Sequence, residues 1–181
     1  MKLVETGLKD CYVLEPQVFG DTRGFFFESF NQRKFNELLR SEYHFVQDNH
    51  SKSSKGVLRG LHYQIQNPQG KLVRVSSGEV FDVAVDLRRS SPSFGKWFGE
   101  ILSAENKKQL WIPPGFAHGF VVLSDSADFL YKTTEYYNAE SDRCILWNDE
   151  DLKIDWHSQE NPLLSEKDKK GKLFKEADIF S

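Results

Sequence analysis

Three stretches of the chain set polar, reactive side chains inside otherwise apolar sequence: Gln47-Asp48-Asn49-His50-Ser51, Val57-Leu58-Arg59-Gly60-Leu61-His62-Tyr63-Gln64 and Pro113-Pro114-Gly115-Phe116-Ala117-His118-Gly119-Phe120. A buried polar group without a partner is costly, so such side chains need a hydrogen-bond network or a ligand. One histidine in such a place is more often structural than catalytic. Two histidines in separate strands, joined by Arg59, Lys71 and strand tyrosines, shift that balance. Histidine has the ordinary pKa nearest neutrality, which suits His62 to general-base work. Lys71 and Arg59 are cations that can stabilise negative charge developing on a carbonyl oxygen. The hydroxyl of Tyr131 can serve as an acid if it faces the base across a flat intermediate. Two-residue alternation puts Tyr131, Thr133, Glu135 and Tyr137 on one strand face, with ordinary barrel packing as the competing explanation. The same alternation sets Arg59 and His62 on opposite faces, and Gly60 between them is read as a bulge that re-aims one of them.

A metal is the obvious rival to acid–base chemistry. The spacings Gly56-x5-His62 and Pro113-x-Gly115-x2-His118 resemble the two cupin motifs. Metal-binding cupins place a second His two residues after the first, then a Glu, then the last His. Here Gln64 holds the second position and Lys71 stands near the carboxylate's place. Two imidazoles alone make a poor divalent site, and an ammonium nearby repels the ion. The expectation is a cupin-like barrel with no metal.

Elements must position these residues, and the pattern is of short strands. Residues 12–14, 25–30, 43–49, 57–64, 71–76, 79–87, 97–103, 119–123, 128–134 and 143–147 read as strands between turn signals such as Gly20-Asp21, Pro68-Gln69-Gly70 and Ser90-Ser91-Pro92-Ser93. In 79–87, Phe81, Val83, Val85 and Leu87 alternate with Val80, Asp82, Ala84 and Asp86, the pattern of a half-buried strand. One helix is expected over 32–40, capped by Asn31, with Phe35, Leu38 and Leu39 on its buried stripe. The charged tail, 165–181, has a short helical or irregular look. The fold class expected is all-β, a cupin-like jelly-roll (double-stranded β-helix) barrel with a few short helices, whose mouth holds a ligand.

The chain has 181 residues, 24 Lys+Arg and 27 Asp+Glu, and a formal charge of −3. Length and the lack of linkers or repeats predict one domain over 1–181. A near-neutral balance argues against nucleic acid, which asks for a basic face. With 39% hydrophobic residues and 14% aromatics, the composition is that of a packed β protein with aromatic-lined pockets. Cys11 and Cys144 are too few and too separated to suggest disulfides or a metal cluster. No signal peptide or membrane-spanning run is read, and a cytoplasmic protein is expected.

Taken together, the motifs closely resemble the dTDP-4-dehydrorhamnose 3,5-epimerase family. The likeness covers nearly the whole chain: Asp21-x-Arg23-Gly24-x-Phe26, Gln47 to Ser51, Leu58 to Gln64, Gly70-Lys71-Leu72-Val73-Arg74-Val75, Pro113 to Phe120, Tyr131-Lys132, Trp147-Asn148-Asp149 and Leu164-Ser165-Glu166-Lys167-Asp168. The resemblance implies inversion of C3 and C5 of dTDP-4-dehydro-6-deoxy-D-glucose without a cofactor. It implies His62 as base, Asp168 as the carboxylate orienting it, Tyr131 as acid and Lys71 as partner of the C4 enolate. Arg59 and His118 match substrate contacts. Arg23, Glu28, Gln47, Asp48 and Asn49 match nucleotide-sugar contacts, with Arg23 and Glu28 reaching across from the partner of a homodimer. Tyr137 matches the aromatic that stacks on thymine, Lys167 a diphosphate contact, and Phe26 a part of the nucleotide pocket. Asp142 stands where the family often has Glu. The competing readings are epimerisation at C3 or C5 alone, a 3,4-ketoisomerase, a metal-dependent cupin oxygenase and a non-catalytic sugar-binding barrel.

Overall fold

The computed structural model describes residues 1–157 and 161–181. Its strands are β1 (Lys2–Glu5), β2 (Tyr12–Glu15), β3 (Phe19–Asp21), β4 (Gly24–Phe26), β5 (Gln47–Ser54), β6 (Leu58–Gln64), β7 (Lys71–Ser77), β8 (Glu79–Asp86), β9 (Trp97–Ser103), β10 (Gln109–Ile112), β11 (Phe116–Val122), β12 (Ser126–Thr133) and β13 (Asp142–Cys144). Helix α1 (Gln32–Leu39) lies between β4 and β5, and α2 (Glu166–Lys169) and a 3-10 turn (Phe174–Glu176) follow β13. Asn31 caps α1 as its sequence predicts, its side chain accepting from the Lys34 N–H at 3.2 Å.

A six-stranded sheet in the order β1-β2-β10-β7-β12-β5 faces a five-stranded sheet in the order β13-β6-β11-β8-β9. Neighbours in both sheets run antiparallel. Sequence-distant strands interleave, which is the jelly-roll arrangement of a cupin-like barrel. Between the sheets Val13, Val73, Val75, Leu110, Ile112 and Phe129 meet Val80, Ala84, Leu102, Phe116, Phe120 and Val122. Stacked rings of Phe120 and Phe129, 4.1 Å apart, tie β11 to β12 across this core.

The outer face of the five-stranded sheet is covered, and that of the six-stranded sheet is covered in part. On the five-stranded sheet, Phe81, Val83, Val85, Ala117 and Val121 pack under Ile145, Leu152, Trp156 and Phe174 of the C-terminal segment. On the six-stranded sheet, α1 buries Phe35 against Leu14, Leu72 and Trp111. This corrects the reading of 79–87 as half-buried: β8 is buried on both faces, because the C-terminal segment covers the side that alternation would leave to water.

Other elements differ from expectation: the strand expected over 25–30 ends at Phe26, that over 119–123 begins at Phe116, and that over 143–147 ends at Cys144. Residues 43–46 are not a strand; Tyr43 and Phe45 pack instead on Trp111, 4.8 and 5.9 Å between ring centres. Strand β5 runs on to Ser54, and its inward positions are the polar Asn49, Ser51 and Ser53, so hydrophobic alternation could not mark it. Strands β1, β3 and β10 were not expected; Gln109–Ile112 is wholly buried, four residues between a lysine pair and a proline pair, too short to show a period. No helix among the described residues is long and apolar enough to cross a membrane.

Candidate active site

The site is built by one irregularity in β6. Along β11, His118 and Phe120 are two residues apart, whereas their partners His62 and Arg59 on β6 are three apart. One extra residue is therefore accommodated at Gly60-Leu61, the bulge that the sequence suggested. Its effect is to turn Arg59 and His62 to the same cavity. Gly60 has φ +130°, and a Cβ there would lie 2.5 Å from the Gly119 Cα, so only glycine lets the two strands approach this closely.

Arg59 and His62 of β6 and His118 and Phe120 of β11 form one wall of a cavity of about 280 Å³. Lys71 of β7, Phe129 and Tyr131 of β12, and Asn49 and Ser51 of β5 form the other. The base candidate and the acid candidate thus rise from facing sheets. Behind the imidazole, His62 Nε2 lies 2.5 Å from Asp168 Oδ1. The imidazole is 30% exposed to the cavity, and the carboxylate only 3%. Burial pulls the Asp168 carboxyl up, but hydrogen bonds from His62 and Ser165 outweigh it and hold it below the ordinary carboxylate range. An ionised carboxylate here favours a proton on Nε2 and fixes the ring. Ser165 is the N-cap of α2: its hydroxyl accepts from the Asp168 N–H at 3.2 Å and donates to Asp168 Oδ2 at 2.7 Å. The four-residue helix is thus a bracket for one carboxylate.

Deeper in the barrel, His118 Nε2 meets Asp82 Oδ2 at 2.9 Å. Burial lowers the His118 pKa despite Asp82 and raises that of Asp82 despite His118. Lys71 Nζ donates to the His62 carbonyl at 3.4 Å, and burial brings its pKa down to about 8. Arg59 Nε donates to Ser53 Oγ at 3.1 Å. Burial also raises the Tyr131 phenol, although Arg59 opposes the shift.

The remaining candidates divide by position. Gln47 donates to Asn49 Oδ1 at 2.9 Å and accepts from the Tyr137 N–H at 3.1 Å. The Tyr137 hydroxyl contacts Asp142 at 3.1 Å, and Asp142 pairs with Lys167. Tyr137 lies beyond the end of β12, so strand alternation does not place it with Tyr131, contrary to the sequence reading; the Gln47 and Asp142 contacts hold it. Asp48 points from β5 to the outer face, pairs with Lys132 at 2.8 Å, and is not brought to the cavity. Arg23 pairs with Asp21, Glu28 pairs with Lys34, and Phe26 is 69% exposed, all outside the cavity of this chain. Sequence reasoning missed Ser51, Phe120, Phe129, Asp82 and Ser165. Alternation along β8 could have marked Asp82, and the Ser165-x-x-Asp168 spacing is a capping signal.

An all-β, cupin-like barrel whose cavity holds a carboxylate-backed histidine opposite a tyrosine and a buried lysine is built for proton transfer on a small bound molecule. The family profile of dTDP-4-dehydrorhamnose 3,5-epimerase matches residues 5–176, and the chain belongs to that family. It is similar to the dTDP-4-dehydrorhamnose 3,5-epimerase of Pseudomonas aeruginosa, 65% identical over 180 residues and 99% of each chain. It is also similar to the crystal structure of a dTDP-6-deoxy-D-glucose-3,5-epimerase from Legionella pneumophila in complex with dTDP-4-keto-L-rhamnose, with TM-score 0.95, 55% identity and coverage of 98% and 94%. A third likeness is the Bacillus anthracis dTDP-4-dehydrorhamnose 3,5-epimerase with TDP and PPi bound, with TM-score 0.91, 48% identity and coverage of 95% and 98%.

Proposed function

We propose that this chain epimerises C3 and C5 of dTDP-4-dehydro-6-deoxy-D-glucose, giving dTDP-4-dehydro-L-rhamnose for dTDP-L-rhamnose biosynthesis. The observation that carries the assignment of roles is the Asp168-backed His62 on one wall of the cavity and Tyr131 on the other. The C4 ketone makes the protons on C3 and C5 acidic. With its Nε2 proton engaged by Asp168, His62 offers Nδ1 as the base, and the resulting imidazolium is stabilised by the carboxylate. Lys71 meets the enolate oxygen as an ammonium. Tyr131 returns a proton to the opposite face of the sugar, which inverts the carbon. The chemistry asks only for a base, an acid and an oxyanion partner, and no cofactor enters it.

Arg59, His118 and Asn49 contact the sugar end of the ligand. Tyr137 stacks on thymine, Lys167 leaves Asp142 to meet the diphosphate, and Gln47 holds this rim together. Arg23, Phe26 and Glu28 complete the neighbouring site of a homodimer, and Asp48 acts on the face where the partner sits. Support for the dimer comes from the β3–β4 hairpin, whose Phe19, Phe25 and Phe26 are 57%, 63% and 69% exposed. A cleft of about 520 Å³ lined by Asp48, Leu72, Arg74, Leu130 and Lys132 on the outer face of the six-stranded sheet offers a place to receive such a hairpin.

Incubation with dTDP-4-dehydro-6-deoxy-D-glucose in heavy water, read by mass spectrometry and NMR, tests the reading. Two deuterons with inversion at both carbons are expected. A single deuteron would reassign the chain to one-site epimerisation, and none would remove the catalytic reading altogether.

A further inference from the structure

We propose that His62, Cys144 and Asp168 form a binding site for one soft divalent cation, zinc or cadmium, and that its occupation blocks the enzyme. An imidazole nitrogen of His62, Cys144 Sγ and an Asp168 carboxylate oxygen all lie within 4.8 Å of one another. Cys144 Sγ is 3.9 Å from Asp168 Oδ1, and His62 Nε2 is 2.5 Å from the same atom. Tetrahedral zinc with one N, one S and one O ligand needs donor atoms about 3.3–3.6 Å apart, so adjustments of about 1 Å seat the ion. The three donors sit on separate pieces of structure that the fold already holds together. Cys144 faces His62 in the β13–β6 register, and Asp168 is fixed by its cap on α2. An imidazole, a thiolate and one carboxylate are a donor set that zinc favours over magnesium or calcium. The fourth position would fall to a non-protein donor such as water, the open coordination seen when only three protein ligands are supplied.

This is a different set from the positions that align with a cupin metal motif, where Gln64 and Lys71 interrupt the ligands. The nearby cations do not occupy it: Lys71 reaches the His62 carbonyl, and Lys167 is neutralised by Asp142. Burial and the neighbouring Asp168 hold the Cys144 thiol protonated, its pKa raised to about 12, so the thiol is inert until a metal displaces its proton. On binding, the thiol proton leaves to solvent and a metal–sulfur bond replaces the S–H. The imidazole then ligates through Nε2 and must carry its own proton on Nδ1. No lone pair remains to take a proton from the substrate. The inhibition therefore rests on His62 being the base, whereas the binding rests on geometry alone.

Cobalt(II) is the probe, because a cobalt–thiolate bond gives a near-ultraviolet charge-transfer band. The native enzyme should show that band, and zinc should abolish it and stop deuterium exchange into substrate. Cys144→Ser keeps a hydroxyl donor for Asp168 and should retain native exchange while losing the band, with more than about tenfold weaker zinc inhibition. Absence of the band in the native protein, or equal zinc sensitivity in Cys144→Ser, would overturn the site. A band that zinc removes while exchange continues would leave the metal site standing and sink His62 as the base.

Discussion

At the scale of single residues, the cavity depends on how three ionisable groups hold their protons. His62→Asn should keep the fold and abolish deuterium exchange at C3 and C5, because Asn cannot accept the proton; persisting exchange would move the base elsewhere. Asp168→Asn leaves the imidazole without its anionic partner, and kcat should fall about 10²–10⁴-fold. Lys71 allows a sharper test, because its pKa is near 8 rather than 10.5. Between those values the unfolded chain still holds a proton that the folded chain has released, so this residue makes stability rise with pH across that window. Lys71→Met should therefore be more stable than the native protein at pH 7, by up to about 3 kcal/mol, and the gain should shrink towards pH 10.5. Denaturant titrations of both proteins from pH 7 to 10.5 measure it. Activity should run the other way: kcat/KM of the native enzyme falls above pH 8 as the ammonium is lost, and the Met variant is inactive throughout.

At the scale of elements, the site is made by a bulge and a one-turn helix. Gly60→Ala faces both a left-handed φ and a Cβ 2.5 Å from the Gly119 Cα, and it should cost about 3 kcal/mol or more. Urea unfolding should show this, and activity should fall as Arg59 and His62 lose their common aim. The Ser165 cap is expected to contribute about 1 kcal/mol, the usual cost of removing such a cap. Ser165→Ala should also lower kcat several-fold with KM unchanged, and Ser165→Thr should restore it; loss of stability with normal kcat would make Ser165 structural only. These two elements also mark the limit of reading by period. Gly60 between Arg59 and His62 suggested a bulge, and the register displays it. Period alone could not show the role of α2, because Asp168 reaches His62 only through a chain reversal more than a hundred residues along the sequence; the family resemblance alone implied that pairing.

At the scale of the whole molecule, one chain leaves Arg23 and Phe26 on an exposed hairpin, Glu28 just beyond it, and an open cleft on the outer face of the six-stranded sheet. In the proposed homodimer these are two halves of one contact. Phe26→Asp should shift the mass measured by light scattering towards the monomer and lower activity with it. Arg23→Ala should raise KM with the mass unchanged. A fully active Phe26→Asp monomer would defeat the idea that the hairpin completes a neighbouring site.

The sequence alone determined the all-β class, the helix expected over 32–40 with its Asn31 cap, most of the strands, and the residue types that gather in the cavity. Those features are local: alternation, capping chemistry and motif spacing are written in neighbouring residues. Tertiary structure decided which faces are inside. It buried both faces of β8 under the C-terminal segment, and it gave the polar strand β5 an inward row of Asn49, Ser51 and Ser53. It detached Tyr137 from the strand face of Tyr131, and it brought Asp168 and Cys144 to the imidazole of His62. Burial, register and the approach of distant segments depend on the packing of two sheets and a returning tail, and no local period carries that information.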